Sequence, residues 1–168
     1  MAKVFVSIGS NVEREQHFSL ALELLTERFG ELQRSNVYES AAVGFDGDPF
    51  FNMVVAFDSD AEPRQIVNAL HQIERKCGRK RGAKRFGPRT MDLDLLLVGD
   101  RVMRDENIVL PHEEISTQAF VLRPLVELAG ECRHPVSGDT LAVMWSRLQS
   151  NACSLRKVDF EGRLKVQE

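Results

Sequence analysis

Two acids one residue apart, Asp92 and Asp94, follow directly on the most basic stretch of the chain. They lie in Gly87-Pro88-Arg89-Thr90-Met91-Asp92-Leu93-Asp94-Leu95-Leu96-Leu97-Val98, which reads as a tight turn feeding a buried strand. Side chains at i and i+2 of a strand share a face. Asp92, Asp94 and Leu96 are therefore expected on one side, and Leu93, Leu95 and Leu97 on a core side. Carboxylates this close repel, and a divalent cation relieves that repulsion. Oxygen ligands favour magnesium or manganese over zinc. Such ions can bridge phosphate oxygens and align a nucleophile for in-line displacement.

From Arg75 to Arg89 there are eight basic residues and no acid, which leaves 14 basic against 25 acidic residues elsewhere. A positive loop on a negative body focuses an anionic ligand at one place. Arg79 and Arg89 bracket the loop, and guanidinium groups bind phosphate bidentately. Gly78, Gly82 and Gly87 would let it open and close. A polyphosphate is the natural ligand. Neither G-x-x-x-x-G-K-[ST] nor G-x-G-x-x-G occurs, so any nucleotide is held by other means. His112 lies on a loop after Pro111 and by itself is as easily structural as functional. Phe50, Phe86 and Phe120 fall near loops, where aromatics can sandwich a flat heterocycle, although each alone is more often core.

The elements that must position these groups follow from periodicity. A strand over Lys3–Gly9 leads through Ser10-Asn11 into a helix from about Arg14 to Phe29, with Phe18, Ala21, Leu22, Leu25 and Phe29 as its apolar stripe. Glu31 to Ser40 reads as a second strand, 41–49 as a loop, and Phe50 to Asp58 as a third strand. A second helix starts at an Asp60 N-cap with Pro63 in its first turn; it buries Ile66, Val67, Leu70, Ile73 and Cys77. The Asp92 to Val98 strand completes β-α-β-β-α-β. The expected fold is α+β and ferredoxin-like: an antiparallel sheet with helices on one face and the other face left for a site. A C-terminal hairpin follows (Arg101–Met103 against Ile108–Leu110). Beyond it come a short helix interrupted by Pro124, a helix over 140–149 and a strand near 154–160.

At 168 residues with 43% hydrophobic and 28% charged residues, a single domain over 1–168 is expected. No apolar run approaches the roughly 20 residues that span a bilayer. Three cysteines without a C-x-x-C pair fit reduced thiols in the cytoplasm.

Gly87-Pro88-Arg89-Thr90-Met91-Asp92-Leu93-Asp94 resembles the signature of the 6-hydroxymethyl-7,8-dihydropterin pyrophosphokinases of folate biosynthesis. The resemblance extends through Ile8-Gly9-Ser10-Asn11, Val37-Tyr38-Glu39-Ser40, Phe51-Asn52, Ile73-Glu74 with Gly78-Arg79, Leu110-Pro111-His112, and Phe120-Val121-Leu122 with Pro124-Leu125. It implies an ATP-dependent diphosphotransferase that moves pyrophosphate to the hydroxymethyl group of a reduced pterin and releases AMP. Asp92 and Asp94 would hold two magnesium ions. Arg79, Arg89 and His112 would contact ATP phosphates, with Glu74 near the nucleoside. Asn52 would bond the pterin, Val43 and Gly44 would line its pocket through backbone, and Phe50 and Phe120 would stack on its faces. The implied partners are ATP and a reduced pterin, with no nucleic acid and no membrane, bound by a monomer.

Five places depart from the common family pattern: Ala41-Ala42 for prolines, Phe50 for Tyr, Phe86 for Trp, Glu113 for an aromatic and Gln118 for Arg. Two other readings carry different chemistry. One is a two-metal phosphoryl or nucleotidyl transferase with another acceptor. The other is an RNA-binding ferredoxin-like module, which lacks the K/R-G-F/Y-G/A-F-V-x-F/Y motif and would set two acids against a phosphate backbone.

Overall fold

The computed structural model describes residues 1–41, 48–78, 91–148 and 155–160. Its element order is β1 (Ala2–Ser10), α1 (Arg14–Phe29), β2 (Gln33–Arg34), β3 (Val37–Ser40), β4 (Phe50–Ser59), α2 (Pro63–Lys76), β5 (Asp92–Val98), β6 (Met103–Arg104), β7 (Val109–Leu110), a 3-10 turn (Glu113–Ile115), α3 (Ala119–Ala129), α4 (Leu141–Leu148) and β8 (Arg156–Val158). The sheet runs β5-β1-β4-β3-β8, with β2 also on β4, and each of these pairings is antiparallel. The β5-β1-β4-β3 order, with α1 and α2 as the two crossovers, is the ferredoxin-like arrangement.

Alternation along β1 and β4 divides the sheet cleanly. Val4, Val6, Ile8, Phe51, Met53, Val55 and Phe57 point to one face and pack with Phe18, Leu22 and Leu25 of α1 and Ile66, Leu70 and Ile73 of α2. Each such fully buried side chain contributes on the order of 1.5–3 kcal/mol. Phe5, Val54 and Ala56 point the other way and meet Val121, Leu122 and Leu125 of α3 and Leu141 of α4. The second face is thus shared: α1 and α2 take one face as expected, the C-terminal helices roof part of the other, and the end carrying Ser7, Gly9, Asn52, Asp92 and Asp94 is left to the site.

Several local expectations are corrected. The Glu31–Ser40 strand is two short pieces. Between them the Ser35 N–H donates to the Val54 carbonyl at 2.9 Å, and the Ser35 hydroxyl oxygen accepts the Val54 N–H at 2.9 Å. A side chain thus stands in where the ladder breaks. Leu97 does not share a face with Leu93 and Leu95. The register against β1 steps from Phe5↔Leu97 to Val6↔Leu95, so Leu96 is an extra residue, and Leu97 joins the α3 side with Phe5. A bulge of this kind reverses the alternation beyond it.

Helix α2 is capped by Glu62 rather than Asp60, through a reciprocal box with Gln65 and Pro63 in the first turn. Helix α1 has no side-chain cap; Glu13 precedes it in the left-handed region (φ 45°). Helix α3 continues through Pro124 instead of stopping there. The hairpin pairs Met103↔Leu110 and Arg104↔Val109, so its first strand lies one residue further along than the expected Arg101–Met103. No helix among the described residues is long and apolar enough to cross a membrane.

Candidate active site

The acids are positioned by edge strand β5. Asp94 stands in register with Ser7 and Asp92 with Gly9. Across β1, Gly9 is also in register with Asn52 on β4. Two strand spacings, roughly 9–10 Å, therefore separate the Asp92 and Asn52 backbones on one face. Both acids are partly exposed, as a ligand-binding carboxylate must be, whereas Asn52 is 4% exposed.

Asn52 is held by its neighbours. Its amide nitrogen donates to the Ser40 hydroxyl oxygen at 2.8 Å, the Tyr38 carbonyl at 3.2 Å and the Phe50 carbonyl at 3.4 Å. The donors are thus committed to strands, and Oδ1 remains as the acceptor it can turn to a ligand. A Cβ placed on Gly9 would lie 3.6 Å from that Oδ1 and 3.9 Å from Cδ1 of Phe50. The glycine leaves the face between amide and aromatic ring free of a side chain.

Glu74 sits on α2 and is 2% exposed, and its Oε2 accepts the Leu93 N–H at 2.8 Å. Leu93 lies between the two acids, so this buried carboxylate anchors the metal-candidate strand at the sheet edge. The His112 N–H donates to the Leu96 carbonyl at 3.0 Å, which fastens the loop after β7 to the bulge of β5.

Atoms of Asp94, His112 and Glu114 lie within 4.8 Å of one another, a group of possible ligands among the described residues. Glu114 was not singled out by sequence reasoning; its one signal was its place two residues after His112. Nδ1 of His112 accepts the Glu114 N–H at 3.1 Å. In a neutral ring this leaves the proton on Nε2, so His112 is set as a donor toward an anion while Nδ1 is engaged. The carboxylates are the hard-ion ligands here, and the donor set fits magnesium.

Phe50 opens β4 beside Gly9, and Phe120 lies in the first turn of α3, packed at the edge of the second core. Gln118 precedes α3 without a side-chain cap bond, and Glu113 makes an exposed 3.2 Å ion pair with Arg104. Val43, Gly44, Arg79, Phe86 and Arg89 lie outside the described residues.

A ferredoxin-like α+β sheet with paired acids on its edge strand, and a buried amide two strands away, is an arrangement that can serve a group-transfer enzyme. Residues 5–130 match the pattern of the family described as 7,8-dihydro-6-hydroxymethylpterin-pyrophosphokinase (HPPK), and the chain belongs to that family. It is 38% identical over 138 residues to the 2-amino-4-hydroxy-6-hydroxymethyldihydropteridine pyrophosphokinase of Pseudomonas aeruginosa, covering 79% of this chain and 84% of that protein. To the Aquifex aeolicus protein of the same name it is 35% identical over 139 residues, covering 81% and 86%. Other relatives are much longer. The chain spans 20% of the Pneumocystis carinii folic acid synthesis protein fol1, to which it is 32% identical over 86% of its own length. The crystal structure of wild-type Plasmodium falciparum HPPK-DHPS with pteroate is similar in fold, with a TM-score of 0.72 at 12% identity, over 87% of this chain and 42% of that one.

Proposed function

We propose that this chain transfers pyrophosphate from ATP to the hydroxymethyl group of 6-hydroxymethyl-7,8-dihydropterin and releases AMP, a step of folate biosynthesis. The observation that carries the reading is the register of Gly9 with both Asp92 and Asn52. It brings the Asn52 amide and the Asp92–Asp94 acid pair to one face, which supports a pterin contact at the amide and cation binding at the acids.

Asn52 Oδ1 accepts from the pterin, and the rings of Phe50 and Phe120 hold its faces, with Val43 and Gly44 contributing backbone. Asp92 and Asp94 would hold two magnesium ions, and Glu114 lies close enough to Asp94 to share in holding them. When bound, magnesium neutralises phosphate charge and lowers the barrier to attack at phosphorus. His112 Nε2–H donates to a phosphate oxygen, and Arg79 and Arg89 neutralise the charge of the transferring group. The acceptor hydroxyl oxygen bonds to the β-phosphorus. The bond from that phosphorus to the oxygen bridging it to the α-phosphate breaks, and the oxygen leaves with AMP. The hydroxyl proton passes to solvent on the Asp94 side. Glu74 holds β5 from beneath; in this reading any nucleoside contact is secondary to that. One cytoplasmic, monomeric domain that binds neither nucleic acid nor membrane completes the proposal.

Incubation with ATP, magnesium and the reduced hydroxymethyl pterin tests it. AMP formed only when pterin is present supports the reading. ADP or free pyrophosphate as the nucleotide-side product overturns it and favours a transferase with another acceptor.

A further inference from the structure

Glu39 lies between Tyr38 and Ser40, two of the three residues that accept from the Asn52 amide, and its side chain faces the opposite side of the sheet with Phe51. There it is gripped twice. Nη1 of Arg14, the first residue of α1, donates to Glu39 Oε2 at 2.7 Å; Nη2 of Arg156 in β8 donates to Glu39 Oε1 at 2.7 Å. The same Arg14 nitrogen donates to the Pro49 carbonyl at 3.1 Å, and its guanidinium lies 3.9 Å from the centre of the Phe51 ring. Asn11 adds a bond from its amide to the Asp48 carbonyl at 3.2 Å. The end of β3 and the start of β4 are therefore tied to one arginine. Strand β8 pairs along the outer edge of β3 (Val37↔Val158, Tyr38↔Lys157, Glu39↔Arg156), and Phe160 packs edge-on against Phe18 at 5.9 Å and Phe51 at 6.5 Å.

All of β8 and Phe160 lie beyond residue 130, where the match to the family pattern ends. We propose that Glu39, clamped between Arg14 and Arg156, is a positioning residue for the acceptor substrate, and that the C-terminal strand β8 thereby serves pterin binding. The proposal rests on the reading of Asn52 as the pterin contact. Strand β3 has four residues; Ser35 on Val54 and Tyr38 on Glu127 hold its start, and the clamp holds its end at Glu39 and Ser40. A shift of that end withdraws the Ser40 hydroxyl from the Asn52 amide and loosens its bond to the Tyr38 carbonyl. The amide then turns, and its Oδ1 leaves the ligand. The acids on β5 are two strands away and are untouched.

Steady-state kinetics of the full chain test this with Glu39→Ala, Arg156→Ala and Asn52→Ala. Glu39→Ala is expected to raise the pterin KM about tenfold, the scale of a sub-ångström misplacement, with kcat and the ATP KM changed by less than about twofold. Arg156→Ala is expected to move the same constant in the same direction by a smaller factor. A merely structural role lowers the folded fraction, and with it kcat, and leaves both KM values in place; that pattern overturns the proposal. Should Glu39→Ala not fold, Glu39→Gln keeps the shape, removes the charge and is read the same way. Unchanged pterin KM in Glu39→Ala beside a raised one in Asn52→Ala rejects the clamp alone. Unchanged pterin KM in Asn52→Ala rejects the reading of the pterin site, and the clamp with it.

Discussion

The buried carboxylate of Glu74 accepts the backbone N–H of Leu93 at 2.8 Å, midway between Asp92 and Asp94. Among the described residues strand β5 ends the sheet, so an outward N–H there meets no strand. Glu74→Ala leaves that donor unsatisfied beside the core. The expected cost is about 1–3 kcal/mol of stability, with lower kcat from a less rigid acid pair. Urea melts and AMP-release assays check both, and Glu74→Gln, which keeps an acceptor, is expected to recover part of the stability.

Asp92→Asn and Asp94→Asn are expected to reduce turnover by a factor on the order of a thousand, as removal of charge-stabilising groups does elsewhere. Both positions are partly exposed, so the fold is expected to stay near native. Circular dichroism melts and AMP assays across a magnesium titration measure this. A fully active Asp94→Asn chain would sink the metal assignment.

Gly9→Ala separates fold from function. Its Cβ would meet Asn52 Oδ1 at 3.6 Å and Phe50 at 3.9 Å, both ordinary contacts, so the strand accepts it. In the proposed reading the methyl group would stand where the pterin approaches the amide. We expect an unchanged melting temperature and a pterin KM raised by about tenfold, the scale of a one-methyl mismatch in a pocket.

The Tyr38 hydroxyl donates to Glu127 of α3, which also accepts from the Asn36 backbone N–H at 2.7 Å. Burial, then the bond to Glu127, pushes the Tyr38 phenol up to about 12. Burial pulls the Glu127 carboxyl upward, but bonds from Tyr38 and Asn36 and the charge of Arg123 outweigh it and hold it below its usual value. The raised phenol contributes stability that is present below its unfolded value of about 10 and is lost as pH rises through the folded value. The depressed carboxyl contributes stability that is present above about pH 4.3 and is lost as pH falls through its folded value. Urea melts at stepped pH should therefore show Tyr38→Phe flattening the alkaline limb and Glu127→Gln the acid limb.

Much of the fold was legible because it is written in local periods. Phe18, Leu22 and Leu25 repeat at helical spacing, and the run from Asp92 to Val98 has the length of one strand. The helix limits Arg14 and Phe29 agree with the periodicity because polar residues and a glycine border the stripe. What was misread depends on partners far away in sequence. Leu97 changes face because β1 skips Leu96. Ser35 breaks a strand because Val54 offers it both backbone groups. Pro124 sits within a helix whose apolar side is covered by the sheet, and packing outweighs its missing N–H.

By itself the amino-acid order determined the acid pair, the family and the β-α-β-β-α-β succession, since each is carried by residues close together in the chain. Only the tertiary structure decided that Glu74 braces Leu93, that Glu114 joins Asp94 and His112, and that Arg156 reaches Glu39 across 117 residues. Those relations are made by strands meeting side by side and by helices closing over them. Spacing along a chain carries no record of which distant carboxylate will fill a vacant place at a sheet edge.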